Sequence, residues 1–389
     1  MVMLLLTELL GLTQVVHSPH SFLSFDPNRH SPFFAFAVAA MFALHALFHG
    51  RQLHLAAAFV IGLILATLHA MVFFTTRQGW LSVVSTGLYY LGAGSFLILS
   101  WLAWRCRHSA QGASFVETLK AGMLLPLFVV TSWSWLEASY RLRTNTFDAV
   151  LYRFDDSLGF HASAIAGRLF AQTPLLGNVS GVVYAGLPLF AAIQYGLQCR
   201  CKESPANILK VFLVIALAGF AVYFLFPAAG PRYLVGDLFP QHMPGVEGMP
   251  LDLAPLGPAY RNAMPSLHMA WALALCLGAR QLSLSVRIAF ALVAGVTALA
   301  TLGLGEHYLI DLVVAFPFAL TAWALCVAQA SHETRRAAAI GIALVVAWLA
   351  YLSTGAAFFA DAGRIHLILM AATIGWVAVL ARRLSVTRQ

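Results

Sequence analysis

The chain has 389 residues, 60% of them apolar and 10% charged, with a formal net charge of +8. Soluble domains carry roughly 25% charged residues, so composition excludes an ordinary soluble enzyme and indicates a polytopic helical membrane protein. The positive charge collects in short loops, as membrane topology demands. No aromatic-basic interleaving accompanies it, which argues against a nucleic-acid partner.

Residues 1–16 form an apolar run broken by Thr7, Glu8 and Gly11. The run is short for a span and lacks the basic amino end and cleavage site of a signal peptide, so an interfacial helix is expected. A polar stretch, 17–31, follows. Apolar segments then recur near 32–49, 53–75, 81–103, 119–139, 177–198, 207–227, 264–281, 286–304, 307–330, 336–354 and 362–381. The expected fold is all-α, with about eleven spans. His45, His49, His54 and His69 dilute the apolar signal early on, and each is read as interfacial or bonded to a neighbour. The segment 140–176 differs: Arg141, Arg143, Arg153, Asp148, Asp155 and Asp156 alternate with Phe147, Leu151, Tyr152 and Phe154. Such a mixture suits an amphipathic helix at the interface, with a second short one over 160–170. The five cysteines lack metal-site spacing and are read as unpaired and structural.

Basic residues set the orientation. Arg105, Arg107 and Lys120, then Arg200 and Lys202, Arg280 and Arg287, Arg335 and Arg336, and Arg382, Arg383 and Arg388 fall in loops on one side. That side is expected to be cytoplasmic. The loop 228–263, the turn 304–307 and the segment 140–176 then face the other way. The arginines of 140–176 argue mildly against this assignment. Three blocks are expected: 1–139, amino-terminal helices of unclear role; 140–330, a catalytic core; and 331–389, carboxy-terminal helices.

Three polar stations interrupt the apolar pattern of the core. In Phe226-Pro227-Ala228-Ala229-Gly230-Pro231-Arg232-Tyr233, Pro227 ends a helix and Gly230-Pro231 makes a turn. Arg232 is thereby delivered to the membrane surface. It is either a phosphate ligand or an interfacial arginine reaching lipid headgroups. In Arg261-Asn262-Ala263-Met264-Pro265-Ser266-Leu267-His268, Pro265 suits the first turn of a helix, where free N–H groups favour anions. Ser266 and His268 share that turn, as a phosphate cradle with a proton donor or as ordinary terminal and interfacial residues. In Gly305-Glu306-His307-Tyr308-Leu309-Ile310-Asp311, His307 and Asp311 stand four apart and are expected on one helix face. A carboxylate bonded to one ring nitrogen frees the other as a nucleophile or base; a structural pair is the alternative. A metal at these residues is disfavoured because Arg232 would repel a cation and carboxylates are few.

These three stations, in this order, resemble the motifs of the type 2 phosphatidic acid phosphatase superfamily. The details resemble the branch containing inositol phosphorylceramide synthase. The likeness is good over 207–330 and loose over 140–206. It implies a six-helix phosphatase-type core, no metal and no cofactor. It implies that His307 attacks phosphorus and carries a phosphohistidine, that Asp311 orients His307, that His268 protonates the leaving oxygen, and that Arg232 and Ser266 hold the phosphate. Water as acceptor gives a phosphatase; a lipid hydroxyl gives a transferase. The chain departs from the usual phosphatase at Leu267, which replaces a glycine, at Ala300 and Thr301, which replace a Ser-Arg pair, and at Phe224 and Leu225, where a lysine is missing. These departures favour a transferase moving a phospho-headgroup, such as phosphoinositol, from a phospholipid donor. Arg261 is the candidate replacement for the missing charge, and Tyr308 is grouped with it at the substrate. Same-family alternatives are a lipid phosphate or polyprenyl diphosphate phosphatase. A proton-coupled transporter or scaffold is the alternative of another class. The expected location is a bacterial inner membrane, with the site facing the periplasm and the loop 233–260 over it as a lid.

Overall fold

The computed structural model describes residues 32–50, 53–73, 80–201, 205–354 and 362–386. The helix expected over 1–16 and the polar stretch 17–31 lie outside the described residues. The described residues contain α1 (Pro32–His49), α2 (His54–Phe73), α3 (Trp80–Arg105), α4 (Ala110–Leu142), α5 (Asp148–Ser157), α6 (Ala162–Gln172), α7 (Pro174–Ala185) and α8 (Leu187–Cys201). They continue with α9 (Ile208–Leu225), α10 (Pro231–Val235), α11 (Leu267–Gly278), α12 (Leu284–Gly303), α13 (Leu309–Leu325), α14 (His332–Thr354) and α15 (Gly363–Val386). The strands β1 (Asn145–Thr146) and β2 (Ala254–Pro255) pair antiparallel, Asn145 opposite Pro255.

The chain is all-α and polytopic. Seven of the described helices are long and apolar enough to cross a membrane, or up to eight if α7 and α8 form one broken span. α13 and most of α2 are shorter apolar helices. The span expected over 264–281 is a helix of only 12 residues, α11. Its start is set back because Ser266, not Pro265, caps it: the serine side chain accepts the Met269 N–H. Pro265 therefore precedes the helix rather than opening its first turn. Leu217, Leu292, Val346 and Ile368 are among the large apolar side chains exposed on helix exteriors. In a bilayer that surface meets lipid tails, while the helices satisfy their own backbone.

The helices form two compact units, one within 1–134 and 185–202, the other within 135–184 and 203–389. In the first, α1 packs on α3 and α8, and α2 packs on α3. Three of its histidines bond hydroxyls of neighbouring helices: His45 Nδ1 to Ser95 at 3.2 Å, His49 Nε2 to Thr118 at 3.0 Å, and His69 Nδ1 to Tyr90 at 3.0 Å. These three are bonded to neighbours, as expected.

In the second unit α11 packs against α9, α12 and α13, α13 packs against α14 and α15, and α6 lies along α12. This unit has two chemically different ends. At one end Arg280 donates to the Ala381 carbonyl and stands near Arg287 and Arg382, and Ala328 N–H donates to the Pro205 carbonyl. At the other end meet the carboxyl ends of α9 and α12 and the amino ends of α11 and α13. α9, α12 and α13 are ~25–30 Å long at 1.5 Å per residue, and the 12-residue α11 ~18 Å.

The segment 140–176 does form two short helices, α5 and α6, but two of its three acids do not face water. Asp148 and Asp155 are each only 1% exposed. Their spacing of seven puts them two turns apart on one face of α5, and that face is turned inward. The loop 233–260 is tied down from α5 and α6: Tyr152 donates to the Pro244 carbonyl at 2.6 Å, Arg153 to those of Val246 and Met249, and Arg168 to that of Pro240.

Candidate active site

Four hydrogen bonds of the polypeptide knit the three stations together. Ala263 N–H donates to the Ala228 carbonyl at 2.8 Å, joining the first to the second. Ser266 N–H donates to the Asp311 carbonyl at 3.2 Å, joining the second to the third. Arg232 N–H donates to the Gly305 carbonyl at 3.1 Å, joining the first to the third. The fourth comes from a side chain, His307 Nδ1, which lies 2.8 Å from the Ala263 carbonyl. Gly230 (φ +115°) and Gly305 (φ +71°) make this crossing possible. A Cβ on Gly230 would collide with the Glu306 carbonyl, and one on Gly305 with the Arg232 side chain.

The bond to Ala263 decides the state of His307. A carbonyl only accepts, so Nδ1 carries the proton and Nε2 keeps its lone pair. Burial lowers the pKa of His307 to about 4, against the opposing pull of Glu306 and the Ala263 carbonyl. The imidazole is thus neutral near pH 7. Asp311 was expected to make the orienting bond from the same helix face. Instead His307 lies in the turn before α13, and the nearer Asp311 oxygen is 3.5 Å from Nδ1. That oxygen accepts the Tyr308 N–H at 2.8 Å. Asp311 remains close enough to act on the ring electrostatically.

His268, in the first turn of α11, faces His307 with ring centroids 6.5 Å apart. Its ring is fixed by stacking on Tyr184 at 3.8 Å and by the edge of Trp271 at 5.4 Å. Ser266 is fully buried at the cap of the same helix. Arg232, with a side chain 47% exposed, pairs through Nη1 with Glu306 Oε1 at 2.9 Å. Tyr233 donates to both Glu306 oxygens at 3.3–3.4 Å. Burial raises the Glu306 pKa, with Arg232 and His307 pulling it back. Burial and Glu306 hold the Tyr233 phenol up at about 12, a proton donor at neutral pH.

Two residues expected at the substrate are engaged elsewhere. Arg261 is 1% exposed, and its guanidinium donates to the carbonyls of Arg143, Thr144, Leu256, Gly257 and Ala259 at 2.8–3.5 Å. It organises the loop, with its guanidinium directed at protein carbonyls. Tyr308 is equally buried, and its hydroxyl donates to Asp148 at 3.0 Å. Arg261→Ala is accordingly expected to lower stability by about 3 kcal/mol, because several buried acceptors lose their donor at once. The loss should appear in the thermal midpoint of the detergent-purified protein. An unchanged midpoint with a raised KM alone would restore Arg261 to the substrate.

The organising residues that sequence reasoning missed are the acids of α5. Asp148 accepts from Ala229 N–H, Gly230 N–H at 2.8 Å and the Tyr308 hydroxyl, so it ties the turn before Arg232 to the residue after His307. Asp155 accepts the Leu309 N–H at 2.9 Å and anchors the start of α13. Their seven-residue spacing was the available signal. Glu306 and Tyr233 were each one position from a residue singled out.

Residues 149–325 match the family model described as the PAP2 superfamily. No curated protein and no solved structure matches the chain. The matched segment holds all three stations, and its similarity is to the type 2 phosphatidic acid phosphatase superfamily. The chain is an integral membrane enzyme of the phosphatase and phosphotransferase type, acting on lipid phosphates.

Proposed function

We propose that the chain is a phosphotransferase that moves a phospho-headgroup, phosphoinositol being the example the sequence suggests, from a phospholipid to a lipid hydroxyl. The observation that carries this reading is the pair of facing imidazoles, 6.5 Å apart, with the Nδ1 of His307 tied to a carbonyl. That separation leaves room for a phosphoryl group between the rings. In the first step His307 Nε2 bonds to phosphorus, the ester bond to the donor's leaving oxygen breaks, and that oxygen takes a proton from His268. The phosphorylated ring gains positive charge, which Asp311 stabilises from 3.5 Å. In the second step the acceptor hydroxyl bonds to phosphorus, the N–P bond breaks, and His268 takes the hydroxyl proton. Arg232 and Ser266 hold the non-bridging oxygens.

The absence of charge at Ala300 and Thr301 favours the transferase over the phosphatase. Both are buried, and the Thr301 hydroxyl donates to the Ala298 carbonyl of its own helix. The site faces the periplasm of a bacterial inner membrane in this reading, because Arg280, Arg287 and Arg382 gather at the other end of the unit. Of the arginines of 140–176, Arg153 and Arg168 are bound to loop carbonyls and Arg141 to Glu137 at 2.9 Å, which leaves the exposed Arg143 as the one that counts against this orientation.

The test is to incubate purified protein with mixed phospholipids and lipid alcohols and to identify products by mass spectrometry. A new phospholipid carrying the donor's headgroup is expected. Inorganic phosphate as the sole phosphorus product would point instead to a phosphatase. Substrate flux into vesicles with no chemistry would point to the transporter.

A further inference from the structure

We propose that Glu306 is a specificity-determining residue, which suits the phosphate pocket to the single charge of a phosphodiester and sets it against the dianion of a phosphomonoester. The inference rests on the assignment of His307 and Arg232 given above.

The groups around the pocket supply little net charge. Arg232 contributes one positive charge. Glu306 sits against the same guanidinium at 2.9 Å. Arg261 is engaged with loop carbonyls, and Ala300 and Thr301 are uncharged. His307 is a neutral imidazole. The proton that His268 brings to the first step is matched by the Asp311 carboxylate, 3.5 Å from His307, so the sum is near zero, and a pocket near zero tolerates one negative charge better than two.

Glu306 is also held in place. Arg232 and Tyr233 grip its carboxylate, its N–H donates to the Thr301 carbonyl at 3.2 Å, and Gly230 lies against its backbone. The guanidinium has five N–H donors in a planar fork. Engagement of Nη1 by Glu306 leaves others for one phosphate oxygen. Any oxygen bound to that fork lies within about 7 Å of the carboxylate oxygen on Nη1, given ordinary charge-assisted geometry. At that distance, with Glu306 largely buried beside the half-exposed guanidinium, like charges still repel.

The two substrate classes differ in the charge they bring. A phosphodiester has one negative charge, and the intermediate it leaves on His307 keeps the headgroup ester and again has one. A phosphomonoester carries about −1.5 to −2 near pH 7, and its intermediate has no ester to cap the second oxygen. The carboxylate therefore discriminates by repulsion throughout the cycle, a way of excluding the wrong partner that requires no added attraction for the right one.

The experiment compares kcat/KM for phosphatidylinositol, a diester, and phosphatidic acid, a monoester, in the same micelles. Wild type, Glu306→Gln, Glu306→Asp and His307→Ala are measured together. Glu306→Gln is expected to raise the monoester relative to the diester by about tenfold, the scale of one like-charge contact removed. Glu306→Asp should leave the ratio within about twofold. An equal change for both lipids, or no change, overturns the inference and leaves Glu306 a structural residue. If Glu306→Gln does not fold, wild type is inhibited with dimethyl phosphate and methyl phosphate. Stronger inhibition by the dimethyl ester supports the proposal, and the reverse order overturns it. The His307→Ala arm separates the two claims. Turnover equal to wild type there, or no turnover of either lipid by wild type, removes the underlying reading and this inference with it. An inactive His307→Ala beside an unmoved Glu306→Gln ratio removes this inference alone.

Discussion

His307→Ala is expected to reduce product formation by about 10⁴-fold or more, whether water or a lipid alcohol accepts the phosphoryl group. Loss of a covalent nucleophile removes both half-reactions together, and such losses reach this size in enzymes that act through a covalent intermediate. The variant should still fold. Its removal strips one donor from the Ala263 carbonyl, a loss of about 1–3 kcal/mol, and leaves the three backbone bonds between the stations intact. The check is a rapid quench with a donor labelled at phosphorus. Wild type should hold label on protein in a bond stable to alkali and lost in acid, as a phosphoramidate is. His307→Ala should hold none while keeping its thermal midpoint within a few degrees. Undiminished turnover in this variant would place the nucleophile elsewhere.

Asp148→Ala is expected to have the second-largest effect, although Asp148 does not touch the substrate. Its buried carboxylate accepts from Ala229 N–H, Gly230 N–H and the Tyr308 hydroxyl. Alanine would leave three buried donors without a partner, at about 1–3 kcal/mol each. The damage should concentrate in the turn that carries Arg232. Limited proteolysis should cut that turn in the variant and spare it in wild type, and kcat/KM should fall at least about 100-fold. Asp148→Asn should be little better, since its amide nitrogen meets donors where the carboxylate offers only acceptors. A variant with wild-type protease resistance and activity would show that the turn holds itself.

The neighbouring acid extends the same logic. Asp155 bonds the Leu309 N–H, and one of its oxygens has no hydrogen-bond partner. Burial lifts its pKa to about 8, with the nearby Asp311 adding to the rise and the Leu309 N–H opposing it. α5 thus places two carboxyl groups under the site, one beneath the turn of Arg232 and one beneath the start of α13.

Much of the fold was legible because a bilayer permits few solutions. An apolar segment that cannot reach water must close its own backbone hydrogen bonds, so each apolar run becomes a helix whatever its neighbours are. Residues 207–227 and 286–304 accordingly appear as α9 and α12. The three stations were legible for a similar reason: each is short, and its function-bearing residues lie within a few positions of one another. Arg232, Ser266, His268, His307 and Asp311 do gather at one end of the unit.

What sequence alone could not determine is who bonds to whom across long separations. His307 pairs with a carbonyl 44 residues away rather than with the aspartate four residues on. Asp148 reaches Tyr308 across 160 residues, and the Arg261 guanidinium reaches Arg143 across 118. Arg261 read as a free cation because periodicity reports which face a residue takes, not which carbonyls will surround it. Asp148 and Asp155 read as a solvated face because charged residues usually are one. The polar stations follow from local chemistry. Their assembly depends on buried donors and acceptors that must find partners wherever the fold brings them, and only the tertiary structure decides which partners those are.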